Sequence, residues 1–350
     1  MSKPVATITF HWATNYGGVL QAYALQQAIK KLGAETEIID FVPRRVRLMI
    51  VLSDLRSRRF SEFKKERSIA SFRKEYLTLS KRHYGSVRAL KKAGADYDRI
   101  ISGSDQVWNY SFITSYGKKP MLSYFLDFAG ESVKRFAYAV SFGANKMPAD
   151  YPALVSGEVK KFSAVSVRED TGLDIVASMG VPAKVVCDPT VLLTEEDYAA
   201  VIPEQTSRAP YIYSYIIHKG QDTAHKIESA AARLLPECEL IRTAPTDGVR
   251  EWLAGIKGAE LVVTNSFHGM MLSLILGRPF IAVPVEGHDM NARVENVLRA
   301  AGLENRLLAS SEEEKVSAVI NAPIDRAAVS AALEAMRKDG YAFLRSCIEG

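Results

Sequence analysis

The stretch of sequence that decides the fold is Leu261-Val-Val-Thr-Asn-Ser-Phe-His-Gly-Met-Met-Leu-Ser-Leu-Ile-Leu-Gly-Arg-Pro-Phe-Ile-Ala-Val-Pro284. Its β-branched start predicts a buried strand, its polar middle turns at Gly269, and its apolar continuation predicts a helix that stops at Gly277. A second β-branched run follows Pro279, so the stretch predicts one βαβ unit. Ligands of such units bind beyond the carboxyl ends of the strands, where helix N-termini favour anions. We therefore expect His268 to face a ligand.

Length and composition predict two globular domains. The chain has 350 residues, more than one core usually organises, and its apolar content of 47% is ordinary. No run approaches the roughly 20 apolar residues of a membrane helix, and the N-terminus lacks a signal-peptide pattern, so we expect a cytoplasmic protein. The cysteines, Cys187, Cys238 and Cys347, are too few and too scattered for a disulfide framework or a metal cluster. We expect no metal site.

Predicted strands and helices alternate along most of the chain. The strands are predicted over residues 5–11, 35–41, 99–102, 136–141, 164–167 and 184–187, and then over 211–217, 239–241, 261–264 and 280–283. A stop at Asp188-Pro-Thr190 separates the two sets, and Thr194 with Asp197 opens the next helix as a capping box. The pattern predicts an N-terminal α/β domain over residues 1–190 and a C-terminal one, with the terminal helices, over residues 191–350.

A strongly basic segment interrupts this alternation. Residues 44–82 hold 13 Lys and Arg against 4 Asp and Glu, whereas the net charge of the whole chain is only +5. Interspersed apolar residues favour a helical insertion over about residues 44–85. Three interpretations are open: a solvated helical face, a surface for anionic lipid headgroups or a pyrophosphate-linked acceptor, and a nucleic-acid site. The third ranks last because no aromatic stacking platform or known binding motif accompanies the charge, so we expect no nucleic-acid partner.

Polar residues follow the first and third predicted strands. Asn15 precedes the paired glycines Gly17 and Gly18, which let the backbone approach a ligand before a helix starts, although this is neither a GxGxxG nor a Walker loop. Asp105 lies in a small-residue turn near Trp108. The carboxylate is suited to accept a proton from a sugar hydroxyl and the indole to support a sugar ring. The alternative is a helix cap and a core tryptophan.

Two cationic or titratable residues end later strands. Arg168 follows the strand predicted over residues 164–167 and suits bidentate contact with phosphate or carboxylate; alternatively it pairs with its acidic neighbours or with Asp188. His268 contacts a ligand or, alternatively, orients its own loop. Together with Asn15 and Asp105, these residues would line one cleft if the two domains face each other.

The ordered blocks of polar residues resemble those of the polysaccharide pyruvyl transferase family. The resemblance runs from about residue 7 to about residue 305. It rests on Asn15-Tyr-Gly-Gly18, Gly103-Ser-Asp-Gln-Val-Trp108, Val167-Arg-Glu169, Asp188-Pro-Thr190 and Thr264-Asn-Ser-Phe-His-Gly269. It implies two Rossmann-like domains facing each other in a GT-B-like arrangement. It also implies transfer of a pyruvyl group from phosphoenolpyruvate to a sugar as a cyclic ketal, with release of phosphate and without a cofactor.

The resemblance also implies roles for individual residues. Arg168 and His268 match positions that hold phosphoenolpyruvate, and Asp105 matches an acidic position near donor and acceptor. His268 is thereby assigned to donor binding and acid catalysis, and Asp105 to hydroxyl activation. Many members carry an Arg two residues before the His, where this chain has Ser266. Either the donor differs, or another cation fills that place; the candidates are Lys219, Arg278 and Arg293.

The expected acceptor is a sugar of a capsule or exopolysaccharide precursor, lipid-linked or not. A lipid-linked acceptor would place the protein at the inner face of the membrane, with residues 44–82 as the peripheral contact. Two other functions stay open. A GT-B nucleotide-sugar glycosyltransferase would share the fold, with Lys219 as its cation in the second domain. A degenerate member acting as a polysaccharide-assembly scaffold is suggested by Ser266 and the basic segment.

Overall fold

The computed structural model describes residues 3–44, 46–48, 60–115, 120–204, 209–217, 222–285 and 291–350. The chain divides into two compact units, residues 1–192 with 337–350 and residues 193–336. Each unit is built around a parallel β-sheet with helices between successive strands.

The first unit contains a seven-stranded sheet in the order β3-β2-β1-β4-β5-β6-β7, in which all neighbours are parallel. The strands are β1 (Val5–Ile8), β2 (Thr36–Phe41), β3 (Leu79–Tyr84), β4 (Arg99–Ser102), β5 (Lys134–Val140), β6 (Ala164–Val167) and β7 (Lys184–Val185). The chain builds outwards from β1 to β3 and then returns to place β4 on the other side of β1. The order of strands therefore reverses between β1 and β4. We call such a place a switch point, and doubly wound sheets bind ligands there.

Helices cover this sheet. Those of the first unit are α1 (Tyr16–Lys31), α2 (Phe60–Tyr76), α3 (Val87–Leu90), α4 (Tyr110–Thr114), α5 (Tyr151–Val159), α6 (Asp170–Ala177) and α7 (Pro189–Leu192). Most of α1 is buried, because it packs on the sheet with one side and carries α2 on the other. Tyr23 of α1 lies edge-on to Phe72 and Tyr76 of α2, with ring centroids 5.8 and 6.2 Å apart.

The basic insertion predicted over residues 44–85 contains a strand. Its middle part is the helix α2, while Arg45 and residues 49–59 lie outside the described residues. Residues Leu79–Tyr84 instead form β3, which pairs with β2 through Ile38 and Leu79. The prediction was wrong there because three consecutive exposed residues, 81–83, conceal the alternation expected of a strand. Charged side chains of this kind are common on edge strands, where they discourage further pairing.

The end of the chain belongs to the first unit, whereas the sequence placed all of residues 191–350 in the second domain. The last helix, α14 (Arg326–Glu349), brings Phe343, Leu344 and Cys347 into an apolar cluster with residues of β1, α1 and β4. Its Gly340 lies so close to the first unit that an added Cβ would be 2.7 Å from the Tyr138 hydroxyl. An amphipathic helix must bury its apolar stripe, and the C-terminal part of this stripe is buried in the first unit.

The second unit contains a four-stranded parallel sheet in the order β11-β10-β8-β9. Its strands are β8 (Tyr211–Tyr215), β9 (Glu239–Arg242), β10 (Leu261–Thr264) and β11 (Phe280–Ala282). Its helices before α14 are α8 (Glu195–Ala199), α9 (Asp222–Leu234), α10 (Val249–Lys257), α11 (Phe267–Ile275), α12 (Ala292–Ala300) and α13 (Val316–Asn321). The strand order reverses between β8 and β10.

Local sequence signals at helix ends in the second unit are confirmed. Thr194 and Asp197 form the predicted capping box at the start of α8. Gly277 has a φ of +64° directly after α11, a conformation that favours glycine and ends the helix. The decisive stretch is therefore the βαβ unit that its sequence predicts.

Candidate functional site

The loop after β1 is organised by Asn15, which caps α1. Its Oδ1 accepts hydrogen bonds from the N–H groups of Gly17 and Gly18, at 2.9 and 3.3 Å. The sequence predicted that the backbone at these two glycines would approach a ligand. Their amides are not open donors for that ligand, because the Asn15 side chain already accepts from both. The exposed Asn15 is thus first of all a helix cap.

Asp105, after β4, lies at the switch point of the first sheet. Its φ is +77°, a left-handed conformation that costs a non-glycine residue about 1–3 kcal/mol and is concentrated at functional sites. Its backbone carbonyl accepts a hydrogen bond from the Ser141 N–H at 3.0 Å, and its Oδ1 accepts one from the Gln106 N–H at 2.9 Å. The other oxygen, Oδ2, approaches the first turn of α1, since a Cβ added to Gly18 would be 3.1 Å from it.

Arg168 lies behind Asp105 with only 2% of its side chain exposed. Its Nη1 donates to Asp188 Oδ2 at 2.8 Å, its Nε is 3.7 Å from Glu169 Oε2, and its Nη2 is 3.9 Å from Asp105 Oδ1. Burial alone would lower the pKa of the guanidinium, but the charges of Asp188, Glu169 and Asp105 outweigh it and raise that pKa. This geometry favours the ion-pair interpretation of Arg168 over direct contact with a donor.

Other buried groups that the sequence analysis did not place in the site hold these carboxylates. Asp188 Oδ1 accepts from the N–H and Oγ1 of Thr190, at 3.0 and 2.7 Å, and Oδ2 accepts from Ser104 Oγ at 3.2 Å. Glu169 Oε1 accepts from Ser141 Oγ at 2.7 Å. The sequence analysis treated Asp188 as a stop between domains, as a partner for Arg168 and as part of the block Asp188-Pro-Thr190, and gave it no place in the site. The short polar residues around it were the available signal, because Ser and Thr hydroxyls commonly satisfy nearby carboxylates.

Trp108 is not a sugar platform. It is 0% exposed, stacks on Phe125 with a centroid distance of 4.7 Å, and donates from Nε1 to the Tyr124 carbonyl at 3.1 Å. The assignment of Trp108 to acceptor binding was therefore wrong, and the core interpretation holds. An aromatic ring this large contributes most when it is fully buried.

A second ionisable cluster lies near the carboxyl ends of β1, β2 and β3 in the first unit. Asp40 accepts from His11 Nε2 at 3.2 Å and from His83 Nδ1 at 3.0 Å. Partial burial raises the pKa of Asp40, but the hydrogen bonds and charges of the two histidines outweigh burial and lower it. This cluster fixes β1, β2 and β3 to one another near their ends.

At the switch point of the second sheet, side chains at the end of β10 and directly after it hold the end of β8 and the chain that leaves it. Thr264 Oγ1 donates to the Tyr215 carbonyl at 2.7 Å, and Asn265 Oδ1 accepts from the Ile217 N–H at 2.9 Å. Ser266, which stands where many family members have Arg, is buried and caps α11 by accepting from the Gly269 N–H at 3.3 Å. The hydroxyl of Ser266 therefore has a structural task in addition to any contact with a donor.

His268 lies in the first turn of α11 and is partly exposed. Its ring meets the Phe267 ring edge-on at 5.4 Å, and the Arg293 guanidinium lies over the same Phe267 ring at 5.1 Å. Of the cations considered as replacements for the missing Arg, Arg293 is thus close to the His268 block. Arg278 follows the opposite end of α11, and Lys219 lies outside the described residues.

The described parts of the chain hold neither a grouped set of metal ligands nor a membrane-spanning helix. Within those ranges, no three His, Cys, Asp or Glu side chains are grouped so that they could hold a metal ion. Among the same residues, no helix has both the length and the apolar character needed to cross a bilayer.

Each switch point therefore places a chemistry-bearing side chain at the carboxyl end of a parallel strand, where doubly wound α/β domains bind ligands. The sequence profile of the polysaccharide pyruvyl transferase family matches residues 15–287, more than three quarters of the chain. The chain belongs to this family. No curated protein matches the sequence.

Solved structures of UDP-N-acetylglucosamine 2-epimerases share the fold. The enzyme from Methanocaldococcus jannaschii matches with a TM-score of 0.62 at 10% identity, covering 100% of both chains. The enzyme from Rickettsia bellii matches with a TM-score of 0.54 at 7% identity, covering 100% of this chain and 96% of the other. At these identities the likeness concerns the fold alone. Because these are GT-B fold proteins, the predicted class of two Rossmann-like α/β domains is confirmed.

Proposed function

We propose that this chain is a ketal pyruvyltransferase that moves the pyruvyl group of phosphoenolpyruvate onto a sugar of a surface-polysaccharide precursor. The observation that carries the proposal is the position of His268, in the first turn of α11 at the switch point of the second sheet. Membership in the family supports the reaction class. No metal or cofactor is required by the proposal, since the reaction needs only an acid, a base and anion-binding groups.

In this proposal, the second unit binds the donor. Phosphoenolpyruvate carries a phosphate and a carboxylate, and both are stabilised by cations and by a helix N-terminus. The first turn of α11 supplies the helix N-terminus, and Arg293 supplies a cation beside Phe267. His268 carries a titratable ring at the same helix end and is the proposed acid.

The chemistry requires one proton to be added and two to be removed. His268 gives a proton to the methylene carbon of the enol, which leaves C2 open to attack by the first sugar hydroxyl. Phosphate then leaves C2, and the second hydroxyl attacks to close the ketal. In the net balance, one hydroxyl proton replaces the proton that His268 gives to the methyl carbon, and the other leaves with phosphate. Asp105 is the proposed base for a hydroxyl, because its carboxylate is partly exposed and held in a fixed direction.

The proposal is tested by measuring phosphate release from phosphoenolpyruvate with a panel of lipid-linked and nucleotide-linked sugars. Thermal unfolding with each donor separates the alternatives, because a ligand that binds the folded state raises its stability. Stabilisation by phosphoenolpyruvate supports the pyruvyltransferase, and stabilisation by UDP or GDP alone would identify a glycosyltransferase. A protein that binds neither donor but keeps a membrane or protein partner would be the scaffold.

We propose further that α2 contacts an anionic surface that carries the acceptor. One side of α2 is anchored in the first unit: Ile69 and Phe72 are buried, and Arg73 donates to the Trp12 carbonyl at 2.8 Å. The other side is exposed and carries Lys64, Arg67 and Lys74 at helical spacing. Basic helices of this kind bind anionic lipid headgroups. The proposed location of the protein at the inner face of the membrane rests on this contact alone.

A further inference from the structure

The charges around Arg168 do not suit an anionic donor. With formal charges, one guanidinium faces the three carboxylates of Asp105, Glu169 and Asp188, which leaves the cluster with two more negative than positive charges. The guanidinium is also covered, with 2% of its side chain exposed. A phosphate or carboxylate brought to this place would meet repulsion from the same carboxylates that hold the arginine. This arrangement favours a role for Arg168 other than contact with the donor.

We propose that Arg168 and Asp188 are positioning residues that hold the Asp105 carboxylate for the acceptor hydroxyl, an inference that rests on the proposed function. Arg168 approaches Oδ1 of Asp105, which also accepts from the Gln106 N–H. Both neighbours therefore lie on the Oδ1 side of the carboxylate, while Oδ2 is turned towards Gly18 in the first turn of α1. A sugar hydroxyl that donates to Oδ2 of Asp105 would therefore meet a carboxylate held in a single orientation.

The groups behind Arg168 fix this orientation. Asp188 is fully buried and receives hydrogen bonds from Thr190 and Ser104 in addition to Arg168. Ser104 directly precedes Asp105, and its single hydroxyl proton is shared between the Ala139 carbonyl at 2.9 Å and Asp188 Oδ2 at 3.2 Å. Ala139 has a φ of +48° at a register shift in β5, so the strand itself bends where Asp105 is held. Such strain persists only where surrounding contacts determine the backbone.

The decisive variant is Arg168→Lys, which keeps the charge but loses the planar fork that spans Asp188 and Asp105. We expect its affinity for phosphoenolpyruvate, measured by calorimetry, to stay within about twofold of the parent, while kcat falls by about tenfold or more because the base is misplaced. A tenfold loss of donor affinity would show direct contact and overturn the inference, and so would an unchanged kcat.

The matched control is Arg135→Lys. Arg135 is also a buried arginine of the first sheet, with Nη1 donating to Glu158 at 2.9 Å and Nη2 to the Ala129 carbonyl at 2.6 Å. It lies at the start of β5 and not at a carboxyl end. We expect this control to lose stability as Arg168→Lys does, while it keeps the parent kcat. If kcat of Arg135→Lys fell as much as that of Arg168→Lys, the loss of activity would come from a general loss of structure, and the inference would be overturned.

A milder variant covers the case in which Arg168→Lys does not fold. Thr190→Val removes the hydroxyl that donates to Asp188 and leaves the backbone hydrogen bond intact. We expect a severalfold lower kcat with unchanged donor affinity. A variant with the parent kcat, or with weaker donor binding, would count against the inference. A parent that neither binds phosphoenolpyruvate nor releases phosphate would instead overturn the proposed function itself.

Discussion

The two switch points occupy the same topological position in their sheets but differ in charge. At the first, Asp105 is backed by a buried cluster in which carboxylates outnumber the guanidinium of Arg168. At the second, neutral side chains hold the loop, and Arg293 lies over Phe267 beside His268. A negative surround suits activation of a hydroxyl, whereas a cation at a helix N-terminus suits an anion. The fold supplies two equivalent places, and the side chains give them different chemistry.

Removal of His268 is the strongest test of the proposed difference between the two switch points. His268→Ala should lower kcat by about 10²-fold or more, as expected for the loss of general acid catalysis. His268→Gln keeps a hydrogen-bonding group but has no titratable proton to transfer, so it should restore donor binding better than turnover. Phosphate release and calorimetric binding of phosphoenolpyruvate measure the two effects separately.

His225→Gln is the matched control for that experiment. It makes the same substitution in the second unit at a histidine of α9 that contacts Glu228. We expect parent kinetics for this control. Turnover by His268→Gln at the parent rate would remove the acid role and leave His268 as a binding or structural residue.

Asp105→Asn tests the first switch point in the same way. The amide oxygen can still accept from the Gln106 N–H, but an amide cannot take a proton from a hydroxyl. We expect kcat to fall by about 10²-fold with donor binding retained. Stability should be at least that of the parent, because Asn tolerates a positive φ and one negative charge leaves the cluster. A variant with weak donor binding and normal kcat would reverse the assignment of the two switch points.

The sequence predicts the strands better than the contacts between side chains. The predicted bounds of β4, β6 and β10 agree with the structure, because short buried parallel strands read as continuous apolar runs. β3 was missed because an exposed edge strand lacks that signal. The part of the last helix from Arg337 onwards was placed in the wrong unit because amphipathicity shows that a face is buried but not which sheet buries it.

The candidate site shows the same division. The positions of Asp105 and His268 follow from the rule that ligands bind at the carboxyl ends of parallel strands. The occupation of the Gly17 and Gly18 amides by Asn15, and the burial of Trp108, depend on side-chain directions that no pattern of residue types specifies. Local competition for hydrogen bonds determines how the two glycine amides are occupied, and packing determines the burial of Trp108.

A smaller effect is expected from the exposed side of α2. The combined variant Lys64→Glu, Arg67→Glu and Lys74→Glu should weaken binding to vesicles that contain anionic lipid, since each basic residue near such a surface contributes about 1 kcal/mol. The loss should fade as salt rises, because screening reduces the attraction in the parent. Phosphate release from a soluble acceptor should be unchanged, because these residues belong to neither switch point.

A control at other exposed basic residues of the first unit decides how specific this surface is. Lys160→Glu and Lys161→Glu reverse two charges at the end of α5, away from α2. Equal loss of vesicle binding in that variant would mean that net charge alone matters. Parent binding that does not depend on salt, or is absent, would leave α2 as a solvated helix.

The smallest expected effect concerns how closely α1 approaches Asp105. Gly18→Ala places a Cβ 3.1 Å from Asp105 Oδ2, so the carboxylate must shift by a few tenths of an ångström. Gly157→Ala in α5 is the matched control, because a Cβ there meets nothing within 4 Å. Alanine should stabilise α5 by about 0.5–1 kcal/mol in the control, and Gly18→Ala should gain less. If Oδ2 is the atom that receives the hydroxyl proton, Gly18→Ala alone should lower kcat severalfold while donor affinity stays constant. Equal kinetics in the two variants would place the acceptor hydroxyl elsewhere, and the contrast between the switch points would then rest on charge alone.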